Sequence, residues 1–320
     1  MIRLSSASAL ACAGLLAWPM HPAMAHAVCG SRVFPVTLTL DDPGVADEAS
    51  VPTFTYQRSG ADGGPGPTHE YDFNFEYDKR ITTNLGVGVN YGWSVFQTEH
   101  AKTQTGFSNL FVTLKYQTCV SPEHEFIFTV GVQREFGRTG TAHTGADEYG
   151  ATTPTLYFGK GLGDLPVPLL RPFAITGELS YSVADKALKL TPVTDPDTGV
   201  VSLQSNNGNS NSWFGGISLQ YSIPYLQTQV KEYGLPPFIG RLTPLVEVTW
   251  SSPATAPSTQ GTTWTIAPGV IYSGDSYQIG IEALIPANKA AGTNVGIVAQ
   301  FHVFLDDLFP NSLGRPLFNF

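Results

Sequence analysis

Hydrophobic and polar residues alternate along this chain in repeated runs. In "EYDFNFEYD", Glu70 to Asp78, every odd position is aromatic (Tyr71, Phe73, Phe75, Tyr77) and every even one is acidic or amide. A period of two marks a β-strand with unlike faces. "LGVGVNYGWSV" puts Leu85, Val87, Val89, Tyr91, Trp93 and Val95 against Gly86, Gly88, Asn90, Gly92 and Ser94. "NLFVTLKYQ" sets Leu110, Val112, Leu114 and Tyr116 against Asn109, Thr113, Lys115 and Gln117. The pattern returns in "EFIFTVGVQ", "FAITGELSYSV", "WFGGISLQYSI", "YQIGIEALI" and "NVGIVAQFHVF". About twelve strands follow, near 49–58, 69–78, 82–96, 107–118, 124–136, 152–160, 170–184, 212–225, 241–251, 262–273, 275–286 and 292–305. The first is the weakest.

The connectors sort into two kinds. Long polar ones follow odd-numbered strands, among them "SGADGGPGPT", "GRTGTAHTGADEYG" and the 185–211 segment. Short ones such as "KRI", "CVSPE" and "SGDS" follow even-numbered strands. "LQTQVKEYGLPPFIG" breaks the rule and has room for a short helix. An even strand number with short turns at one end and long loops at the other is the pattern of outer-membrane barrels. The expected fold is therefore all-β, a single transmembrane antiparallel up-and-down barrel.

Composition decides which face points outward. Charged residues are 13% of the 320, about half the usual share of a soluble domain. The non-aromatic face is mostly Gly, Ser, Thr, Asn and Gln, poor for solubility but suited to a polar lumen. The rings are thus expected toward lipid, with Tyr71, Tyr77, Trp93, Tyr116, Trp213, Trp250, Trp264 and Tyr277 as candidates for headgroup girdles. The lumen candidates are Glu70, Asp72, Asn74, Glu76, Asn90, Asn109, Lys115, Gln133, Glu178, Gln220, Glu247, Gln278, Glu282, Gln300 and His302.

The N-terminus reads as an export signal: Arg3, the apolar run "ALACAGLLAW" and the small-residue site "AMA" ending at Ala25. The run is too short to span a bilayer. The expected layout is a signal peptide at 1–25, a periplasmic N-terminal segment at 26–48, the barrel at 49–305 and a periplasmic tail at 306–320. Removing the leader removes one basic residue and no acid, taking the net charge from −9 to −10. Nucleic acid demands a basic footprint and is excluded as a partner. Cys29 and Cys119 are then the only cysteines, in an oxidising compartment and both near the periplasmic end by strand parity. A disulfide between them is expected.

Chemistry is sparse. The histidines His26, His69, His100, His124, His143 and His302 stand in no motif that names a nucleophile and base. "HTGADE" and "DPDTG" lack the spacing of a calcium loop. No catalytic residue, metal or cofactor is expected.

"GFSNLFVTLKYQ", "RPFAITGELSYS" and the closing "FLDDLFPNSLGRPLF" resemble the bacterial outer-membrane family known as the MetA-pathway of phenol degradation. Gly106, Lys115 and Tyr116 match its strand pattern, and Asn109 departs from the usual acid. The resemblance covers most of residues 70 to 310 on loose motifs. It implies a barrel that passes small, aromatic or apolar compounds. The expected partners are the lipid bilayer and lipopolysaccharide, the outer-membrane assembly machinery and a small-molecule solute. The function so read is a channel for passive uptake of small molecules. Two alternatives stay open: an outer-membrane, lipase-like hydrolase, and a structural or surface-binding barrel without transport.

Overall fold

A computed structural model describes residues 27–60, 66–196, 198–206, 208–255 and 261–318. The leader at 1–25, His26, Asn207 and Phe320 lie outside the described residues. Twelve long strands form one closed antiparallel barrel. They are β1 (Glu48–Ser59), β2 (Thr68–Arg80), β3 (Leu85–Thr98), β4 (Leu110–Ser121), β5 (Phe126–Phe136) and β6 (Ala151–Gly161). β7 (Phe173–Ala184), β8 (Ser212–Tyr221), β9 (Leu242–Pro253), β10 (Thr263–Ser273), β11 (Tyr277–Pro286) and β12 (Gly296–Phe304) complete it. Each pairs with its sequence neighbour, and β12 returns to β1 through Val298↔Thr55 and Val303↔Ala49. Closure leaves no sheet edge, so every strand finds backbone partners on both sides.

Alternation sets the faces as expected. Phe75, Tyr116, Ile217 and Ile281 lie exposed on the outside, while Thr113, Lys115, Ser218, Gln220, Gln278 and Glu282 are buried inside. Outer rings pair across strands: Phe73 lies 5.2 Å from Phe54 and 5.7 Å from Trp93. Tyr181–Trp213 and Trp250–Trp264 lie toward the long-loop end. Tyr272, Tyr277 and Phe301 form a second group toward the short-turn end.

The loops alternate as the connectors do. The 185–211 loop carries an exposed hairpin, Leu190–Thr194 with Val201–Ser205. β8 ends at Tyr221 rather than near 225. There Ser222 Oγ accepts from Tyr225 N at 3.2 Å and starts a short helical turn before the 226–241 connector.

Residues 27–47 enter the lumen. A hairpin, Ala27–Cys29 with Arg32–Phe34, sits at the short-turn end. The chain then crosses the interior without regular secondary structure, bending at 38–40 and at Pro43, and returns to β1. Phe34 is fully buried, and Leu38, Leu40 and Ala46 nearly so. Leu38 packs with Leu245, Ala267, Ile271, Leu284 and Val298. Burying side chains of this size stabilises the arrangement by about 1.5–3 kcal/mol each. The wall makes room with glycine. A Cβ on Gly280 would meet Leu38 Cδ1 at 2.5 Å, and one on Gly216 would meet Leu40 Cδ2 at 2.9 Å.

The tail behaves as a dock. A helical turn, Leu305–Leu308, follows β12. Leu317 N and Phe318 N then donate to the carbonyls of Arg80 and Ile81 at the β2–β3 turn, at 3.1 and 2.9 Å.

The expected Cys29–Cys119 disulfide is not formed; both are free thiols. Cys29 is buried inside, its Sγ donating to the Phe126 carbonyl at 3.3 Å. Cys119 follows a register shift between Gln117 and Cys119 that leaves it exposed. Burial pushes the Cys29 thiol up from its ordinary value.

Candidate functional site

The interior has two storeys. At the short-turn end the inserted segment is locked by ion pairs. Arg32 is wholly buried. Its Nε donates to Glu125 Oε2 at 3.1 Å, Nη1 to the Pro172 carbonyl at 3.1 Å and Nη2 to the Arg171 carbonyl at 2.5 Å. Its guanidinium lies 3.7 Å from the Tyr225 ring centroid, and the Tyr225 hydroxyl donates to Glu125 Oε1 at 2.7 Å. Burial, with Glu125 beside it, pushes the Tyr225 hydroxyl up. The planar fork of arginine suits a site with three acceptors and a ring face. The far end of the segment is held by Asp47, which accepts from Lys79 Nζ and, at 2.7 Å, from Arg80 Nε.

Between the locks the wall holds the segment by side-chain contacts to its backbone. Val36 N donates to Gln278 Oε1 at 3.0 Å and Thr39 N to Glu247 Oε2 at 2.8 Å. Thr39 Oγ1 donates to the same Glu247 oxygen. Lys115 Nζ donates to Asp41 Oδ1 at 2.6 Å and to the Asp42 carbonyl at 3.3 Å. Thr129 Oγ1 donates to the Pro43 carbonyl at 2.5 Å.

Toward the long loops the lumen opens. A chamber of about 370 Å³ has residues 36–41 as its floor. Asn74, Glu76, Asn90, Gln133, Glu178 and Gln300 stand in its wall, with Phe111, Tyr157 and Phe214 among them. Beyond it a vestibule of about 690 Å³ lies under the 185–211 loop, and Phe214 borders both. A side recess of about 270 Å³ shares Thr39, Leu40, Glu178 and Phe214 with the chamber.

The expected lumen residues thus divide. Six face the chamber. Lys115, Glu247 and Gln278 hold the segment. Glu282 reaches across β10 over Gly269, where a Cβ would lie 2.3 Å from its Cγ. Glu247 Oε1 and both Glu282 oxygens make no hydrogen bond among the described residues. Gln220 donates to Thr176 Oγ1 at 3.2 Å. Glu70 and Asp72 are half-buried toward the long-loop end, Asp72 accepting from Ser94. Asn109 is tied to the rim: its Nδ2 donates to Glu135 Oε1 at 2.7 Å and to the Asp147 carbonyl at 2.9 Å, and its Oδ1 accepts from Gly140 N at 3.0 Å. Its amide supplies both donor and acceptor, which an acid at that place would not.

His302 is buried between Ser50 and Glu48, with Nδ1 at 2.9 Å from Ser50 Oγ and Nε2 at 3.2 Å from Glu48 Oε2. The three resemble a nucleophile, base and acid in kind. Ser50 is nearly fully buried and lines none of the three cavities described, so the array joins β12 to β1 at the closing seam. Among the described residues no group of three His, Cys, Asp or Glu side chains is placed to hold a metal ion.

Sequence reasoning missed the floor, Val36 to Asp41, and the rings of Phe111, Tyr157 and Phe214. Phe111 is in phase with Asn109 and Thr113, and Phe214 with Ser218 and Gln220, so strict alternation does place them inside.

The fold is that of the outer-membrane β-barrel channels. An outer membrane channel from Pseudomonas putida F1 superposes with a TM-score of 0.54 over 85% of this chain and 99% of that one, at 10% identity. The NanC porin gives 0.46 over 80% and 98% at 11% identity. The toluene transporter TbuX of Ralstonia pickettii gives 0.40 over 82% and 90% at 9%. No family model matches the chain, and no curated protein matches it.

Proposed function

We propose that this chain is an outer-membrane channel for passive uptake of small molecules, exported by its leader and inserted with the long loops outside. The observation that carries this reading is the internal space: a vestibule and a chamber meet at Phe214, and below them residues 27–47, with their hairpin and return pass, fill the lumen toward the short-turn end. The segment is held mainly by side-chain contacts, not by a ladder, so it can leave without breaking the barrel. The chamber walls are hydroxyl, amide and carboxylate with three rings, which favours a polar solute bearing an aromatic group over a plain hydrocarbon. The resemblance to phenol-pathway barrels supports an aromatic cargo and nothing finer.

Purified mature protein in liposomes tests this. Uptake of a small neutral sugar such as arabinose should exceed that of protein-free liposomes, and removal of residues 27–46 should raise it further. A folded barrel that passes no solute in either form would overturn the reading.

A further inference from the structure

We propose that the chamber is a binding site for a small organic cation, a protonated amine carried on an aromatic or hydroxylated body. The inference rests on the channel reading for its role and names the class of solute that the site takes.

Charge is the first ground. Asp41, Glu76 and Glu178 all line the chamber, and no lysine or arginine does. The nearest cation, Lys115, lies below the floor, engaged with Asp41 at 2.6 Å and 5.1 Å from the Tyr157 ring centroid. Glu76 and Glu178 have no ion-pair partner among the described residues. Glu178 Oε2 accepts only a long bond, from Asp41 N at 3.4 Å. Two half-buried carboxyl groups facing one chamber attract a cation in their ionised form, and a bound cation in turn favours that form.

The rings are the second ground. Phe111, Tyr157 and Phe214 share the chamber with these carboxylates. Aromatic faces beside acids are the means by which proteins hold ammonium groups, because the ring quadrupole presents negative charge to the cation. The ring set also distinguishes an organic cation from a metal ion, for which oxygen donors alone serve.

Size and polarity are the third. A volume of about 370 Å³ sits at the lower end of ligand pockets, which run from about 300 to 1,000 Å³. Thr53, Asn74, Gln133 and Ser180 supply hydroxyls and amides for a polar substituent on the body of the solute. An anion would face two carboxyl groups without a direct ion pair among the described residues, and a hydrocarbon would leave the polar wall unpaired.

Titration calorimetry of the detergent-purified mature chain, with three probes of one shape at pH 7, tests the assignment. They are phenethylammonium, 2-phenylethanol and 3-phenylpropanoate. Phenethylammonium should bind at least about tenfold more tightly than the alcohol, and the carboxylate should give no heat of binding. The double variant Glu76→Gln, Glu178→Gln should erase the preference for the amine, with its barrel shown folded by heat-modified mobility on gels. Equal binding of amine and alcohol, tighter binding of the carboxylate, an amine affinity unchanged in the double variant, or no binding by the folded protein would each overturn the proposal. The readout is equilibrium binding. A barrel that binds the amine but passes no solute would refute the channel and keep the site; one that conducts and ignores the amine would do the reverse.

Discussion

The two storeys of the lumen use the same residue types to opposite ends. Toward the short turns the inserted segment's ends carry matched charge: Arg32 with Glu125, and Asp47 with Lys79 and Arg80. Space there is filled by Phe34, Leu38 and Leu40, seated over inner-face glycines. Toward the long loops Glu76 and Glu178 stand without an ion pair among the described residues around an open volume. Matched charge with filled space makes a fastening. Unmatched charge with open space makes a binding surface. One barrel thus holds both a filled and an open region, because its N-terminal segment reaches only part of the way up.

The largest effect is expected from breaking the fastening. Arg32→Met removes one partner of a buried pair and leaves Glu125 without its cation, which costs about 3–5 kcal/mol of local stability. The barrel ladder does not include Arg32, so the damage should be confined to the inserted segment. Protease should then cut within residues 27–47 of the folded variant and spare them in the parent. Equal protection in both would show that the ion pair does not fasten the segment.

The outer face sharpens the contrast between inside and outside. Phe73→Arg puts a charge between Phe54 and Trp93 on the lipid side and should cost about 2–4 kcal/mol near the midplane. Asp72→Asn, its neighbour on the inner face, should leave the folded yield unchanged. Equal loss from both substitutions would mean that the faces are misassigned.

The cysteines separate the filled storey from the surface by reactivity. Maleimide should label Cys119 alone in the folded, unreduced barrel, since Cys29 is buried and its thiol is pushed up. Denaturation without reductant should release the second thiol. No free thiol at that step would restore the disulfide.

The smallest effect concerns the docked tail. Burial lifts Asp306 to about 6 despite Arg80 beside it, against an ordinary value of 3.8. The docked state therefore holds the proton more tightly than the free tail does. Docking is fully favoured below about pH 4 and weakens as pH rises through 6. Amide exchange at Leu317 and Phe318, corrected for intrinsic rate, should be better protected at pH 4 than at pH 7. Asp306→Asn should shrink the difference, leaving the part carried by Asp307, whose carboxyl is also pushed up by burial.

Much of the barrel was legible in the chain. Alternation is a local property, and runs such as Thr68–Arg80 and Tyr277–Pro286 carry it clearly, while β1, with its register shift between Ser50 and Thr53, carries it least. The inserted segment was not legible, because nothing local fixes it. Its partners Glu247 and Gln278 lie more than 200 residues from Thr39 and Val36. "PVTLTLDDPG" alternates from Val36 to Leu40, but nothing in it says which surface takes the apolar face. Gly86, Gly216 and Gly280 fall on the inner face in the sequence pattern, yet what they make room for is visible only in three dimensions: Val45, Leu40 and Leu38. The chamber was half legible. Its polar wall followed from phase, while Phe111 and Phe214 were obscured because a ring in such a strand is expected to face lipid.

The central claim is that residues 27–47 close the lumen from within. Single-channel conductance in planar bilayers, comparing the mature chain with a variant lacking residues 27–46, measures it directly. The intact chain should show small conductance with rare openings, and the variant a steady level at least about tenfold higher, as expected of an emptied twelve-strand lumen. Equal conductance in the two, with both barrels folded, would contradict the account.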